Sequence, residues 1–460
     1  MSARLGPLLF ASATLLSGGC GMLVAGSLGQ EDATRPGTAQ MDAGARDVAV
    51  LDTAELDVVI ADMQSADLNA VDLRSPDLGR PDSTPPDTRR PDTWSSAPDA
   101  WSPDRPGSPD VSAPDGGVPD WYNPSYHCRI RLGIEMSLVT EALVDFPLLV
   151  ELDPSLLNCG GQHSVPNTVL FVDSDQVSEL AFEVELDQSP LLTTMWVRKP
   201  LLHPDSLDDH IWLYFGNTEG NDNTRQHETW SPEFRGVWHL TTKPSVYDWT
   251  VDSTGGAHHA LIENMTDLDV VNGRAGGALS FSDWNARLQI DDHPDLDFGT
   301  TSFTYSLWVL VSRNVADYDV PWHKGGSEDS QAGYDMELGS GDWQAWISDG
   351  YDAVIVNFDD SNNINSGWHH LAVVVDRSDE MARAYLDGVA SDESSIASLG
   401  SLSSTYNAYI GADHGRAYPF DGIIDEVRVE AGARSAGWIR TNHYNLLGEL
   451  MQVGPVETLH

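Results

Sequence analysis

The sequence predicts a mainly β protein, with two antiparallel β-sandwich domains following a disordered N-terminal linker. Three observations carry that reading. From Trp121 onward the chain is a series of short alternating apolar and polar runs closed by Pro, Gly and Asn, the signature of strands and tight turns. Within TSFTYSLWVLV, Phe303, Tyr305, Leu307, Val309 and Val311 share one face, as in a strand that covers a core. From Glu31 to Asp120 the composition is dominated by Asp, Pro, Ser, Thr and Arg, which cannot bury enough apolar surface to offset chain entropy. The 460 residues therefore divide into a signal (1–20), an acidic linker (21–120), a first sandwich (121–219), a short linker (220–235) and a second sandwich (236–455).

The start, MSARLGPLLFASATLLSGGC, has one cation at Arg4, an uncharged apolar region through Leu16, and small residues running into Cys20. That is the pattern of an export signal. It resembles a bacterial lipoprotein signal, which implies that Cys20 is acylated and becomes the mature N-terminus. Gly21 after it resembles lipoproteins sent on to an outer membrane. An uncleaved membrane anchor is the alternative, since no charge occurs from Leu5 to Gln30.

From Asp42 to Asp92 an aspartate recurs at every fifth position. ADMQSADLNAVDLRS (Ala61 to Ser75) resembles the repeat of pentapeptide β-helices, but the inner position drifts from Val48 and Leu68 to Ser83, Thr88 and Thr93. Pro81, Pro86 and Pro91 precede the later aspartates and cannot donate to a ladder. The stretch reads as an extended acidic spacer.

The formal net charge is −46. Such acidity repels polyanions, so nucleic acid and anionic lipid are disfavoured partners, and membrane contact is expected only through the lipid anchor. Only Cys20, Cys128 and Cys159 are present, without a CxxC pair. With Cys20 committed to acylation, Cys128 and Cys159 are expected to bridge in an oxidising compartment, adding about 3 kcal/mol. Two separate buried thiols are the alternative.

In the first sandwich, RIRLGI (Arg129 to Ile134), FPLLVEL (Phe146 to Leu152), VLFVD (Val169 to Asp173), AFEVEL (Ala181 to Leu186), MWVRKP (Met195 to Pro200) and HIWLYFGN (His210 to Asn217) read as strands. In this order they resemble the bacterial domain of unknown function 2341, from Trp121-Tyr122 to Tyr214-Phe215-Gly216-Asn217. The resemblance implies a small β-sandwich without a known catalytic centre.

The second sandwich is organised around FDGIIDEVRV (Phe420 to Val429). Read at period two, Ile423, Asp425, Val427 and Val429 share one face, which places a carboxylate toward a sheet interior. There it needs backbone amides, a cation or a metal. With GWHHLAVVVD (Gly367 to Asp376), AYLDG (Ala384 to Gly388) and YIGAD (Tyr409 to Asp413), this strand resembles a laminin G-like jellyroll of the concanavalin A-like superfamily, over Gly236 to Pro455. The resemblance implies a two-sheet jellyroll used mostly to bind sugars or proteins and sometimes to hydrolyse glycosides. It also implies one structural calcium, held by Asp425 with Asp252 in an early turn alongside.

The residues show no catalytic motif. Hydrolases of that fold carry an E-x-D-x-E strand. Glu183-Val184-Glu185 and Asp335-Met336-Glu337 lack the third acid and read as solvated edges. No G-x-S-x-G elbow or phosphate loop occurs, and HETWS (His227 to Ser231) has no second histidine. His258-His259 and His369-His370 are neighbours on strands and face opposite sides, so neither pair chelates as a unit. The aromatic signal is stronger. Trp343, Trp346 and Tyr351, with Trp284 and Trp322 in loops, offer flat rings for stacking on sugars, although Trp343 and Trp346 lie an odd number apart and at most one points inward. The expectation is an exported, lipid-anchored, noncatalytic protein that binds glycan or a surface protein. A glycan-active enzyme and a structural envelope or adhesion component are the alternatives.

Overall fold

The computed structural model describes residues 121–185, 192–218, 220, 222–312, 319–326, 331–339, 342–358 and 367–459. Cys20 and the acidic repeat lie outside the described residues. The chain is mainly β, and none of the described helices is long and apolar enough to cross a membrane.

The first sandwich contains β1 (Cys128–Ile134), β2 (Leu143–Leu152), β3 (Asn158–Cys159), β4 (Gln162–His163), β5 (Leu170–Asp173), β6 (Phe182–Val184), β7 (Thr193–Leu202) and β8 (His210–Phe215). One sheet runs β1-β8-β5 and the other β2-β7-β6, with Ile130, Leu148, Phe171, Val197 and Leu213 in the core between them. Pro147 is tolerated because β2 is an edge strand. Asn445 covers that edge, accepting from Leu149 N at 3.0 Å and donating to the Pro147 carbonyl at 2.9 Å. Cys128 and Cys159 form a disulfide, with Cα atoms 5.8 Å apart. Gly216 sits against it at φ +81°, where a Cβ would lie 2.7 Å from Cys159 Sγ. That contact is the physical content of the Tyr214-Phe215-Gly216-Asn217 stretch.

After α1 (Gln226–Thr229) the second sandwich contains β9 (Phe234–Trp238), β10 (Trp249–Thr250), β11 (Ala260–Glu263), β12 (Val270–Asn272), β13 (Gly277–Ser280), β14 (Arg287–Ile290), β15 (Phe303–Val311), β16 (Trp322–Lys324), β17 (Ala332–Gly339), β18 (Asp342–Asp349), β19 (Ala353–Asn357), β20 (Trp368–Asp376), β21 (Met381–Leu386), β22 (Val389–Ser395), β23 (Ala408–Ile410) and β24 (Gly422–Ala431). The front sheet runs β10-β11-β14-β23-β16-β17-β18-β19. The back sheet runs β12-β13-β24-β15-β20-β21-β22, with β9 also pairing with β24. This is a concanavalin A-like jellyroll, and Phe303, Tyr305, Leu307, Val309 and Val311 face its core as their alternation requires.

The back sheet is apolar on its other face too, through Trp308, Ala372 and Val374, and that face must also be covered. The first sandwich and α2 (Ala436–Leu446) cover it, so these residues share one buried cluster with Phe146, Trp196 and Trp438. Trp230 and Phe234, within the stretch read as a short linker, are buried in the same cluster. The chain then ends in β25 (Met451–Thr458), which pairs with β1. The residues up to Pro455 that the sequence assigned to the second sandwich thus include a strand completing the first. An unpaired β1 edge is what that strand satisfies.

One register shift decides where the charged side chains of β24 go. Trp308 of β15 pairs with Asp425 while Ser306 pairs with Arg428, so Glu426 and Val427 together oppose Leu307. Glu426 takes φ +50°, an uncommon backbone for a non-glycine residue. The bulge reverses the alternation: Ile424, Val427 and Val429 face the jellyroll core. Asp425 therefore does not share the core face with Val427 and Val429, which corrects the uninterrupted period-two reading.

Candidate functional site

The front sheet alternates between core and outer face. Trp322, Met336, Trp343, Ala345, Ile347 and Ile410 pack inward. Their neighbours in sequence consequently form a row across the outer face. Tyr409 pairs with His323, and His323 with Asp335. Asp335 Oδ1 then accepts the Trp346 amide at 3.1 Å, and Trp346 pairs with Ile355. One step along the strands, Glu337 opposes Gln344, whose Nε2 donates to Glu337 Oε1 at 2.9 Å.

This row holds chemistry that the sequence reading passed over. Asp335 and Glu337 are buried on an interior strand, not solvated at an edge as their spacing suggested. Burial raises the Asp335 carboxyl well above the usual range. Burial, with the Asp335 charge adding to it, pushes Glu337 up to about 7. Burial pushes the His323 imidazole down to about 4. Among the described residues His323 Nε2 is buried without a hydrogen-bond partner, and His323 Nδ1 and Asp335 Oδ2 face each other at 3.9 Å, too far apart for a hydrogen bond, while the Trp346 side chain bonds to Glu337. Such a concentration of unsatisfied donors and acceptors on one face calls for an explanation. The only signal in the sequence was the D-x-E spacing, which puts both acids on one side of a strand.

The expected sugar-binding aromatics separate. Trp343 is fully buried in the jellyroll core and is removed from the platform, because its side of β18 faces the other sheet. Trp346 is half-buried on the outer face, and Tyr351, 89% exposed, tips the turn between β18 and β19. Trp322 is core, whereas Trp284 is 69% exposed elsewhere.

The two expected calcium carboxylates are each engaged by backbone amides. Asp252 Oδ1 accepts the amides of Val237 and Thr254, and Oδ2 accepts Thr254 Oγ1 and the His258 amide. Four donors occupy its lone pairs, so Asp252 shapes its turn and does not fit a calcium ligand. Asp425 is fully buried, with Oδ2 accepting the amides of Arg274 and Ala275 and Oδ1 without a partner among the described residues. His258 and His259 diverge, although they lie just before β11 and not on a strand as expected: His259 stacks on Trp249, while His258 Nε2 meets Asp295 Oδ2 at 3.1 Å beside His293.

Among the curated proteins none matches this chain. Among solved structures, the chain is similar to the binding domain of Paraclostridial Mosquitocidal Protein 1, at 15% identity and TM-score 0.37, covering 46% of this chain and 52% of that one. It is similar to the receptor binding domain of botulinum neurotoxin C/D mosaic serotype, at 14% identity and TM-score 0.37 over 46% and 51%. A third is the botulinum neurotoxin serotype D ligand binding domain in complex with N-acetylneuraminic acid, at 12% identity and TM-score 0.37 over 46% and 50%. The chain spans about half the length of these structures. Residues 283–440, which hold most of the front and back sheets, match the Laminin_G_3 family, described as the concanavalin A-like lectin/glucanases superfamily.

Proposed function

We propose that the protein is a noncatalytic binding protein whose jellyroll recognises carbohydrate through the outer face around Trp346. The observation that carries this reading is the cross-strand row from Tyr409 through His323 and Asp335 to Trp346. It sets a half-buried indole beside the buried His323 and Asp335, so the indole is the part of the row that a sugar face can reach, with the exposed Tyr351 at the turn that follows β18. The signal-like start supports export and anchoring through Cys20, to an outer membrane or cell surface, with the jellyroll facing outward to glycan or a surface protein. A glycan array probed with the full chain tests the reading. Binding that Trp346→Ala weakens at least tenfold is expected, and an array without signal, or one indifferent to Trp346, refutes it.

A specific observation favours a second reading, that of a glycan-active enzyme. Asp335 and Glu337 project from one face of β17, and Glu337, held near neutrality, has the proton affinity of a general acid. Release of reducing ends from array-positive glycans, abolished by Glu337→Gln, would replace the binding reading with this one.

A further inference from the structure

Where the first sandwich meets the back sheet, side chains far apart in sequence form one buried polar cluster. Glu183 and Glu185 come from β6 and its end, His239 follows β9, and the bulge in β24 turns Asp425 and Glu426 toward them. His239 Nε2 lies 2.7 Å from Glu183 Oε1, and its Nδ1 lies 2.5 Å from Glu426 Oε1. The ring stacks on Trp196. Trp230 Nε1 donates to Glu183 Oε1 at 2.9 Å, Trp196 Nε1 to Glu185 Oε2 at 3.3 Å, and Arg428 to Glu426 Oε2 at 2.7 Å.

Glu183, Glu185, Asp425 and Glu426 are all buried, with Arg428 paired to Glu426. Arg274 faces Asp425 together with Glu151 and Glu449. Burial raises the carboxyls of Glu185 and Asp425 well above the usual range, so protons sit in the cluster and an entering cation would displace them.

We propose that Glu185, His239 and Glu426 hold one divalent cation of the Zn2+ or Mn2+ class, which ties the first sandwich to the jellyroll. One ligand atom from each lies within 4.8 Å of the other two. Glu183 then occupies the outer position in a carboxylate–histidine–metal arrangement: it accepts the His239 Nε2–H, and the ion would replace the proton that joins His239 Nδ1 to Glu426 Oε1 at 2.5 Å. Two further observations point to a ligand there. Asp425 Oδ1, fully buried and without a hydrogen-bond partner among the described residues, belongs to a carboxyl group that interacts electrostatically with Glu185, Glu426 and His239. A cavity of about 120 Å³, lined by Glu183, Glu185, His239, Thr241 and Ser253, adjoins the trio and supplies room for an entering ion and its water. An imidazole with carboxylates suits zinc or manganese, whereas calcium prefers a shell of six to eight oxygens.

The full chain, stripped with EDTA and dialysed, is incubated separately with Zn2+, Mn2+ and Ca2+, and retained metal is counted by mass spectrometry after gel filtration. The surface trio His258, His293 and Asp295 is a competing zinc site, so His258→Asn is the working background. One retained equivalent of Zn2+ or Mn2+ with a raised Tm is expected in that background. Glu185→Gln, which keeps the shape, should weaken retention at least tenfold, and Glu183→Gln by about ten- to a hundredfold. X-ray absorption of the zinc-loaded background should show one imidazole in an otherwise oxygen shell. The proposal is overturned if His258→Asn retains no transition metal, if calcium is retained in preference, if two imidazoles appear, or if both glutamine variants retain the ion unchanged. Should Glu185→Gln fail to fold, Glu183→Gln and the absorption spectrum decide.

Discussion

Replacing Glu337 by Gln keeps its bond with Gln344 within reach and removes a carboxylate that burial holds at about 7 against an ordinary 4.5. A carboxyl raised on folding stabilises the protein fully below its unfolded value, and that contribution is lost as pH rises through the folded value. The shift, at about 1.4 kcal/mol per pH unit, corresponds to about 3 kcal/mol lost by the wild type between pH 4.5 and pH 7 through this group. His323 has the opposite sign. Its folded value near 4 lies below 6.5, so its contribution is present above 6.5 and fades as pH falls toward 4. The whole-protein pH profile therefore mixes opposing slopes, and only the difference between wild type and Glu337→Gln isolates one of them. Urea unfolding at pH 4.5, 6 and 8 reads that difference. The variant should gain on the wild type by about 3 kcal/mol between pH 4.5 and 8. A difference that stays constant with pH would refute the burial argument and place Glu337 in free contact with water.

At β18, Trp343→Ala should destabilise by about 3–5 kcal/mol in urea unfolding, whereas Trp346→Ala should spare stability and lower glycan affinity. Equal destabilisation by the two would contradict their assignment to opposite faces. Reducing the Cys128–Cys159 disulfide, which closes a separation of 31 residues, should cost about 3 to 4 kcal/mol, and nonreducing peptide mapping should recover the joined peptides. Labelled palmitate should enter the full chain expressed in a bacterium that processes lipoproteins, and Cys20→Ser should abolish that labelling. Persistent label in the variant would exclude Cys20 as the anchor.

Period-two alternation by itself determined the fold class, the inward face of Phe303 to Val311, and the separation of Trp343 from Trp346. Alternation reports which side of a strand a residue occupies, and it depends only on neighbours along the chain. It does not report which strands lie side by side. The meeting of His323, Asp335 and Trp346 needed the order β16-β17-β18, and that of Glu185 with His239 and Glu426 needed one sandwich to pack on the other. Asp425 shows the limit most clearly. A single extra residue opposite Leu307 reverses every side chain before it relative to those after it, and nothing in FDGIIDEVRV marks where that residue is inserted. The position of the bulge is set by what β15 and the first sandwich require of β24, so only the tertiary structure could decide that Asp425 and Glu426 face the interface between the sandwiches.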